Sequence, residues 1–377
     1  MAPSAILEIN LKALKENCSI LKKLSGANFF CPMVKTQGYG HGIVPVTQAL
    51  FAVGVEQVGV VAVSEARALR KALPNTLDIL VFGPVLNKED LDWLYENKCV
   101  LVANNWKDLE YWSKKGPSRI HVKFDTGFSR LGFHISEAEI LKTFFIKHPH
   151  IRAEGLCSQL LSGEELGQET SASYRQMERM EHLISLFSFK ANHLFNTAAL
   201  LSSVCYGGKM NFGSRPGIGL YGIKPKIIFT GIEREKKWKE ISLKPTSSLK
   251  SRIVGVHKLE KGEAVSYEGT WKAGRSSIIV VVSLGYGDGF PRALSSPQGS
   301  VLFRGKIVPV AGRVCMDFFM VDVTDVGGSF PILGEEVVIF GTQEAMTLSP
   351  EEQAEKASTV SHELFVRLGD RVKRHYF

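Results

Sequence analysis

Residues 57–103 read QVGVVAVSEARALRKALPNTLDILVFGPVLNKEDLDWLYENKCVLVA. Three short runs rich in β-branched residues alternate in this stretch with two longer segments of helical periodicity. The runs are Gln57–Val63, Asp78–Phe82 and Cys99–Ala103, and the helical segments are Ser64–Leu73 and Lys88–Glu96. Strands that alternate with helices of this length indicate a parallel sheet, because each helix crosses back over the sheet to the next strand.

The same alternation extends from residue 29 to about residue 225. Further strands are predicted at Phe29–Lys35, Ile120–Phe124, Ile151–Gln159, His193–Asn196 and Asn211–Arg215, and further helices at Ser136–Lys147 and Ala172–Phe189. Eight strand–helix units in this length favour a closed, TIM-like (β/α)8 barrel. An open, doubly wound α/β sheet is the alternative, although no GxGxxG sequence follows the first strand.

Beyond about residue 240, strand-like runs follow one another across Gly and Pro turns, without helices between them. These runs are Ser251–Leu259, Ser277–Leu284, Ser300–Phe303, Lys306–Val310, Asp317–Val323 and Glu335–Phe340. They predict a C-terminal, mostly β domain, with one helical segment at Ser349–Leu368. We therefore expect a barrel over residues 1–235 and a β domain over residues 236–377, with which the first residues of the chain could pack.

Composition limits the class of protein. The 377 residues are 44% hydrophobic and 22% charged, as in a globular enzyme. The longest apolar runs, such as Ile278–Val282, fall far short of the ~18 residues that cross a bilayer. The N-terminus lacks the basic stretch and apolar core of a secretory signal. We therefore expect no association with a membrane and no secretion.

Cysteine spacing and charge narrow the class further. The six cysteines have neither zinc-site nor CxxC spacing, which predicts free thiols in a reducing cytoplasm and no metal site. The formal net charge is +8, but the basic residues are dispersed among acidic ones. This pattern favours a solvated surface, with a few cations for an anionic ligand, over a surface that binds nucleic acid.

A lysine ends the first predicted barrel strand, and a glycine-rich loop follows it. Residues 33–42 read MVKTQGYGHG. The C-terminal ends of barrel strands face the active site, so Lys35 would lie there partly desolvated. Desolvation lowers the pKa of an amine and makes it a usable nucleophile toward a carbonyl. A surface lysine that leads into a turn is the alternative.

Two other segments are candidates for ligand binding and proton transfer. Residues 213–222, GSRPGIGLYG, follow the eighth predicted strand, where barrels often bind phosphate at backbone N–H groups. Gly217 and Ile218 could present such groups, and Arg215 would point into the barrel mouth. In the β domain, Tyr267 lies in a turn, where nearby cations could lower its pKa for acid–base work. A half-buried strand tyrosine is the alternative.

Together these segments resemble the alanine racemase family. Residues 34–42, VKTQGYGHG, resemble the lysine motif of that family, and residues 123–132, KFDTGFSRLG, resemble its KxDTGMxRLG motif. Further family motifs are matched, in the same order along nearly the whole chain, around Arg215, Tyr267, Tyr286 and Met316. The resemblance implies an enzyme that interconverts L- and D-alanine with pyridoxal 5'-phosphate (PLP) and supplies D-alanine for cell-wall peptidoglycan.

The resemblance also implies a role for each matching position. Lys35 and Tyr267 would be the catalytic bases on opposite faces of the cofactor, and Lys35 would also bind PLP covalently. The other cofactor-binding residues would be Tyr39, Asn196, Thr197, Arg215, Gly217 and Ile218. The substrate carboxylate would be held by Arg130 and the backbone at Met316, the entrance shaped by Tyr286, and carbamylation would occur at Lys123.

The family shares its active sites between two subunits, so the resemblance implies a homodimer. Tyr267 and Met316 would then reach the site from the partner subunit. Arg215 would face the pyridine nitrogen of PLP, where a permanent positive charge disfavours protonation of the ring. This arrangement would weaken the electron sink of the cofactor and suppress side reactions such as transamination.

Three positions depart from the family pattern. Gln159 replaces a histidine near the cofactor, and an amide cannot titrate near neutral pH. Asp370 replaces a tyrosine that some members have near the phosphate, so we expect this carboxylate to turn away or the alignment with the family to shift here. Thr36 and Gln37 replace the usual small residue and Asn or Asp beside Lys35.

Other functions remain as alternatives at the level of sequence. The nearest is a racemase of broader specificity that acts on serine or other amino acids. A PLP-dependent decarboxylase of the related fold would need a cysteine-bearing β-domain motif, where this chain has Tyr267. A single-barrel PLP carrier would lack the sizeable β domain.

Overall fold

The structure, a computed structural model, describes residues 5–26, 29–207, 212–229 and 231–377. It divides into two compact units. One unit, the barrel unit, comprises Ala13–Lys244. The other, the β unit, combines the residues up to Lys12 with Pro245–Phe377.

The strands and helices are numbered in chain order. The strands are β1 (Ala5–Ile9), β2 (Gln57–Val60), β3 (Asp78–Val81), β4 (Val100–Ala103), β5 (Ser118–Asp125), β6 (Phe133–His134), β7 (Ile151–Cys157), β8 (His193–Phe195), β9 (Gly213–Ser214), β10 (Ser247–Leu259), β11 (Ala264–Val265), β12 (Trp271–Lys272), β13 (Ser277–Val282), β14 (Ser300–Phe303), β15 (Lys306–Pro309), β16 (Phe319–Asp322), β17 (Glu336–Gln343), β18 (Met346–Leu348) and β19 (Lys373–Tyr376). The helices are α1 (Leu11–Ser25), α2 (Lys35–Tyr39), α3 (Ile43–Phe51), α4 (Val63–Ala72), α5 (Lys88–Glu96), α6 (Trp106–Ser113), α7 (Ala138–Lys147), α8 (Ala172–Leu186), α9 (Thr197–Cys205), α10 (Ile232–Glu240), α11 (Pro350–Lys356) and α12 (Ser361–Val366).

A parallel sheet in the order β2-β3-β4-β5-β7-β8-β9 forms the barrel, and β6 pairs with β5. Residues 30–33 join its two edges, because Phe30 bridges Ser214 in β9 and Met33 bridges Gly59 in β2. The N–H of Cys31 donates to the Ser214 oxygen, and the N–H of Val34 to the Gly59 oxygen, each at 2.9 Å. The predicted (β/α)8 barrel is thereby confirmed.

The first barrel segment differs from its prediction in one respect. Phe29–Lys35 was expected as a continuous strand, but it pairs only through isolated bridges. Pro32 has no N–H to donate and interrupts the ladder. The predicted strand at Asn211–Arg215 begins at a residue outside the described ones, and β9 starts at Gly213.

The barrel strands are buried on both faces, as parallel strands covered by helices must be. All four residues of β4 are buried, and so are three of the four in β2 and in β3. Burial on both faces explains why these strands appear in the sequence as continuous β-branched and aliphatic runs, without alternation.

Replacing Leu101 in β4 with alanine should destabilise the protein by about 2–5 kcal/mol, because the side chain is 0% exposed and its removal leaves a cavity. Ile146→Ala on α7 is the matched control, since that side chain is 72% exposed, and it should change the unfolding free energy by at most about 0.5 kcal/mol. Urea titrations of both variants measure the difference. Equal losses would contradict a packed barrel core at Leu101.

The β unit contains a sheet in the order β15-β14-β17-β10-β1-β19, to which β13, β16 and β18 are attached. The N-terminal strand β1 pairs antiparallel with β10 and parallel with β19. The C-terminal, mostly β domain of the predicted fold is confirmed. The predicted helical segment Ser349–Leu368 consists of α11 and α12, divided where Ser358 has a φ of +54°.

None of the helices in the described ranges combines the length and the apolar character that a membrane span requires.

Candidate active site

Four basic side chains converge where the barrel strands end. Burial lowers the pKa of Lys35 most, Arg130 and Arg215 lower it further, and Glu65 opposes them. Burial also lowers the pKa of Lys123, which Arg215 and Arg130 again depress. Because the charges of Arg130 and Arg215 act on both lysines, each lysine lies near both arginines. Such a concentration of positive charge suits a polyanionic ligand.

The chain turns sharply directly after Lys35. Thr36, Gln37, Gly38 and Tyr39 have φ values of 53°, 54°, 61° and 54°, so the segment numbered α2 is a left-handed turn and not a right-handed helix. Only one of them is glycine, and the left-handed region disfavours side chains, β-branched ones most strongly. The turn is closed by a hydrogen bond from the N–H of Gly38 to the Val34 oxygen at 2.9 Å.

A small cradle forms between the loop after β9 and the start of α9. The N–H groups of Gly217 and Gly219 each donate to Oγ1 of Thr197 at 3.2 Å. A Cβ at Gly217 would lie 2.1 Å from Oη of Tyr39, so that only glycine fits against this ring. Tyr39, Thr197 and Gly217, which the resemblance assigns to cofactor binding, are thus brought together.

Two further residues of the predicted set lie at the edges of this cradle. Asn196 caps α9, since its Oδ1 accepts from the N–H of Ala199 at 2.9 Å. Ile218 is the first residue of a short 3-10 helix, Ile218–Tyr221. Asn196 therefore has a structural function at this position, whatever else it contacts.

Arg215 is buried in a chain of two histidines. Its Nη1 lies 2.6 Å from Nδ1 of His193, and Nε2 of His193 lies 2.7 Å from Nδ1 of His121. A guanidinium can only donate, so Nδ1 of His193 accepts and its Nε2–H donates onward. Both rings are therefore neutral. Burial, with the nearby arginines, lowers the pKa of His193 well below its usual value and that of His121 to about 3.

These two histidines make the stability of the protein sensitive to acid. Their pKa values are depressed in the folded state, whereas an unfolded chain has histidine pKa values of about 6.5. The unfolded state therefore binds more protons below pH 6.5, and the unfolding free energy should fall by about 1.4 kcal/mol per pH unit for each histidine. Urea titrations between pH 7 and pH 5 measure this slope. His121→Asn should reduce this slope by roughly half, and an unchanged slope would contradict the buried, neutral state of His121.

His193, His121 and Glu65 were missed at the level of sequence. His121 stands two residues before Lys123 on β5, and alternation along a strand puts both on one face. His193 begins β8 two strands away, with only β7 between it and β5. The spacing of His121 and Lys123 could have indicated that His121 faces the same side of β5 as Lys123. The contact of His121 with His193 could not be predicted, because it depends on the order of the strands in the sheet.

Arg130 and Gln159 complete the predicted residues of the barrel unit. Arg130 is exposed, with its guanidinium carbon 4.4 Å from the ring centre of Phe128. Nε2 of Gln159 lies 3.5 Å from the Leu160 oxygen, while Arg215 donates to the Ser158 oxygen at 2.7 Å. Ser158 and His193, rather than Gln159, bind the buried guanidinium.

The predicted site residues of the β unit lie on its surface. Tyr267, Met316 and Tyr286 are 68%, 55% and 44% exposed. The backbone brings two of them together, because the N–H of Tyr286 donates to the Cys315 oxygen at 3.0 Å and that of Gly287 to the Met316 oxygen at 2.9 Å. Ser266, which precedes Tyr267, donates through Oγ to the Arg313 oxygen at 2.7 Å. Asp370 is exposed.

Within the described part of the chain, no three or more His, Cys, Asp and Glu side chains are grouped so that they could hold a metal ion. All six cysteines are free thiols, five of them buried.

Comparisons with known proteins agree along the whole chain. The family model for the alanine racemase N-terminal domain matches residues 9–225, and the model for the alanine racemase C-terminal domain matches residues 246–376. An alanine racemase from Halothermothrix orenii is 32% identical over 98% of this chain and 96% of its own. Alanine racemase 1 from Caldanaerobacter subterraneus subsp. tengcongensis is 33% identical over 98% of this chain and 94% of its own.

Solved structures agree with the sequence comparisons. The alanine racemase from Streptomyces coelicolor A3(2) superposes with a TM-score of 0.87 at 28% identity, covering 99% of this chain and 98% of its own. The alanine racemase from Bartonella henselae, solved with covalently bound pyridoxal phosphate, gives 0.87 at 25% identity and covers 99% of both chains. The resemblance noted in the sequence motifs is confirmed, and this chain belongs to the alanine racemase family.

Proposed function

We propose that this chain is a PLP-dependent enzyme that interconverts L- and D-alanine and supplies D-alanine for peptidoglycan in the cytoplasm. The observation that carries the proposal is a partly buried lysine, Lys35, of lowered pKa among three other cations at the end of a barrel. Family membership supports alanine as the substrate. The free thiols are consistent with a reducing compartment.

The residues of the barrel unit fit PLP. The amine of Lys35 is the nucleophile that an aldehyde requires, and burial together with Arg130 increases its neutral fraction. Tyr39, Thr197 and the loop at Gly217 and Ile218 would hold the phosphate, and the nearby cations would neutralise it. Arg215 would hold the ring nitrogen and, because it is permanently charged, keep that nitrogen unprotonated. When bound, PLP supplies the electron sink that makes the α-proton of the substrate acidic.

Racemisation needs one base to remove the α-proton and an acid on the opposite face to replace it. We assign these functions to Nζ of Lys35 and Oη of Tyr267, the tyrosine coming from the other copy of the chain in a homodimer. The exposure of Tyr267 and Met316 on the β unit supports their availability to a second copy. Arg130 and the backbone at Met316 would fix the substrate carboxylate, and Tyr286 would narrow the entrance.

Lys123 is the proposed site of carbamylation. A neutral amine attacks the carbon of CO2 and releases a proton to give a carbamate, and burial, Arg215 and Arg130 all lower the pKa of Lys123 and so increase its neutral fraction. The product is an anion that would pair with Arg130. The carbamate would thereby orient the guanidinium that binds the substrate carboxylate.

The test is an assay of the purified, PLP-loaded protein with L-alanine, L-serine, L-lysine and L-arginine. Enantiomers are separated by chiral chromatography, and CO2 release is measured in parallel. We expect D-alanine to form fastest. Comparable rates on serine or the basic amino acids would support a broad-specificity racemase instead, and CO2 with an amine product would support the related decarboxylase.

Gly217→Ala should raise the Kd for PLP about tenfold, which corresponds to roughly 1.4 kcal/mol. The new methyl group would lie 2.1 Å from Oη of Tyr39, so that the ring must leave the cradle. Gly274→Ala is the matched control, because a Cβ at Gly274 meets no atom within 4 Å. Titration of the apoenzyme with PLP measures both variants, and equal affinities would contradict a phosphate site at Gly217.

A further inference from the structure

The carboxylate of Glu65 connects two loops at the end of the barrel. Its Oε1 accepts from the N–H of Thr36, the residue after Lys35. Its Oε2 accepts from the N–H groups of Val61 and Ala62 at 2.9 and 3.0 Å, in the loop after β2. Both carboxylate oxygens are therefore used, one on each loop.

The loop that begins at Thr36 needs such support. Thr36 has a φ of 53° and a ψ of 58°, a conformation that is costly for a β-branched residue and persists only where neighbouring groups enforce it. Hydrogen bonds to an ionised carboxylate are about twice as strong as those between neutral groups. The bond from Thr36 to Glu65 thus acts at the first residue of the left-handed turn, where the strain begins.

Glu65 also opposes the positive charges around Lys35. Among the groups that shift the pKa of Lys35, Arg130 and Arg215 lower it and Glu65 raises it. The carboxylate is therefore close enough to Lys35 to act on its charge as well as on its backbone.

We propose that Glu65 is a positioning residue, whose carboxylate holds Lys35 and the strained turn after it in the geometry that binds PLP. The inference rests on the proposed function, since it concerns how the cofactor lysine is held. It goes beyond that function by assigning a role to a residue outside the motifs that resemble the family.

The first experiment is Glu65→Gln. An amide has one acceptor oxygen and cannot serve both Thr36 and the loop at Val61 and Ala62. We expect the Kd for PLP, measured by titration of the apoenzyme, to rise at least about tenfold. Glu65→Asp keeps the negative charge on a shorter side chain, so it should raise the Kd for PLP by a smaller factor.

Two comparisons separate positioning from a general structural role. Thr36→Gly removes the side chain that disfavours the left-handed turn, so it should recover most of the affinity lost in Glu65→Gln and change the wild-type Kd by less than about twofold. Glu137→Gln is the matched control, because Glu137 likewise accepts from the N–H of a helix-capping residue, His134, at 2.6 Å. It should lower the melting temperature without changing the Kd for PLP.

The proposal is overturned if Glu65→Gln binds PLP as tightly as the wild type, or if Glu137→Gln weakens PLP binding as much as Glu65→Gln does. It is also overturned if adding Thr36→Gly to Glu65→Gln recovers none of the lost affinity for PLP. Should Glu65→Gln not fold, Glu65→Asp with and without Thr36→Gly gives the same comparison. A wild-type protein that does not retain PLP on Lys35 after borohydride treatment would contradict the proposed function itself. Wild-type binding with an unaffected Glu65→Gln variant would contradict only the role of Glu65.

Discussion

Lys35→Ala should abolish the covalent attachment of PLP and reduce alanine racemisation by about a thousandfold or more, because one residue supplies both the bond to the cofactor and a proton-transferring base. Visible absorbance of the purified protein, its bleaching by borohydride, and peptide mapping of the reduced cofactor measure the first effect. The racemisation assay measures the second.

Lys35→Arg is the matched control for the charge at this position. Arginine keeps a cation among Arg130, Arg215 and Lys123, but its guanidinium is always protonated and forms no bond with an aldehyde. We expect this variant to bind PLP non-covalently and to remain as inactive as Lys35→Ala. A coloured, borohydride-sensitive Lys35→Ala protein would mean that another amine holds the cofactor.

Tyr267→Phe should slow removal of the α-proton from one enantiomer by about 10²–10⁴-fold and affect the other much less. The substitution keeps the ring, which is largely exposed on the β unit, and removes only the hydroxyl. Lys35 would still exchange the α-proton on its own face. The two enantiomers have equal free energies, so kcat/KM must fall equally in both directions and cannot reveal the asymmetry.

The asymmetry between the enantiomers is measured by exchange of the α-proton in D2O, followed separately for L- and D-alanine by NMR. One enantiomer should exchange rapidly without inversion, and the other slowly. Tyr376→Phe in β19 is the control, since it removes a tyrosine hydroxyl from the same unit outside the proposed site. Equal slowing of both exchange reactions in Tyr267→Phe would contradict the two-base mechanism.

The barrel could be predicted from sequence because its signal is local. Runs such as Asp78–Phe82 are continuous and apolar, and helical periodicity separates them at a regular spacing. Lys35 could be placed at the C-terminal end of the barrel strands for the same reason, since the direction of a parallel strand determines at which end of the barrel its last residue lies. The mostly β domain followed from the absence of helices between its runs.

The supporting contacts could not be predicted, because they join residues far apart in sequence or contradict local preference. The bond between Thr36 and Glu65 spans 29 positions, and that between His121 and His193 spans 72. Neither threonine nor glutamine is a residue type that favours a positive φ, so the turn at Thr36 and Gln37 has no local signal. The strand β19 has the polar sequence KRHY, which has no strand signal without its neighbour β1.

The pairing of β1 with β10 and β19 has a consequence for biosynthesis. β1 is translated before the barrel unit, whereas the other strands of its sheet are translated only after it. While the barrel unit is being translated, β1 therefore has neither of its partner strands to pair with. Unpaired strand edges of this kind can pair with other chains. Chaperone capture of ribosome-bound chains should therefore continue until β10 has emerged.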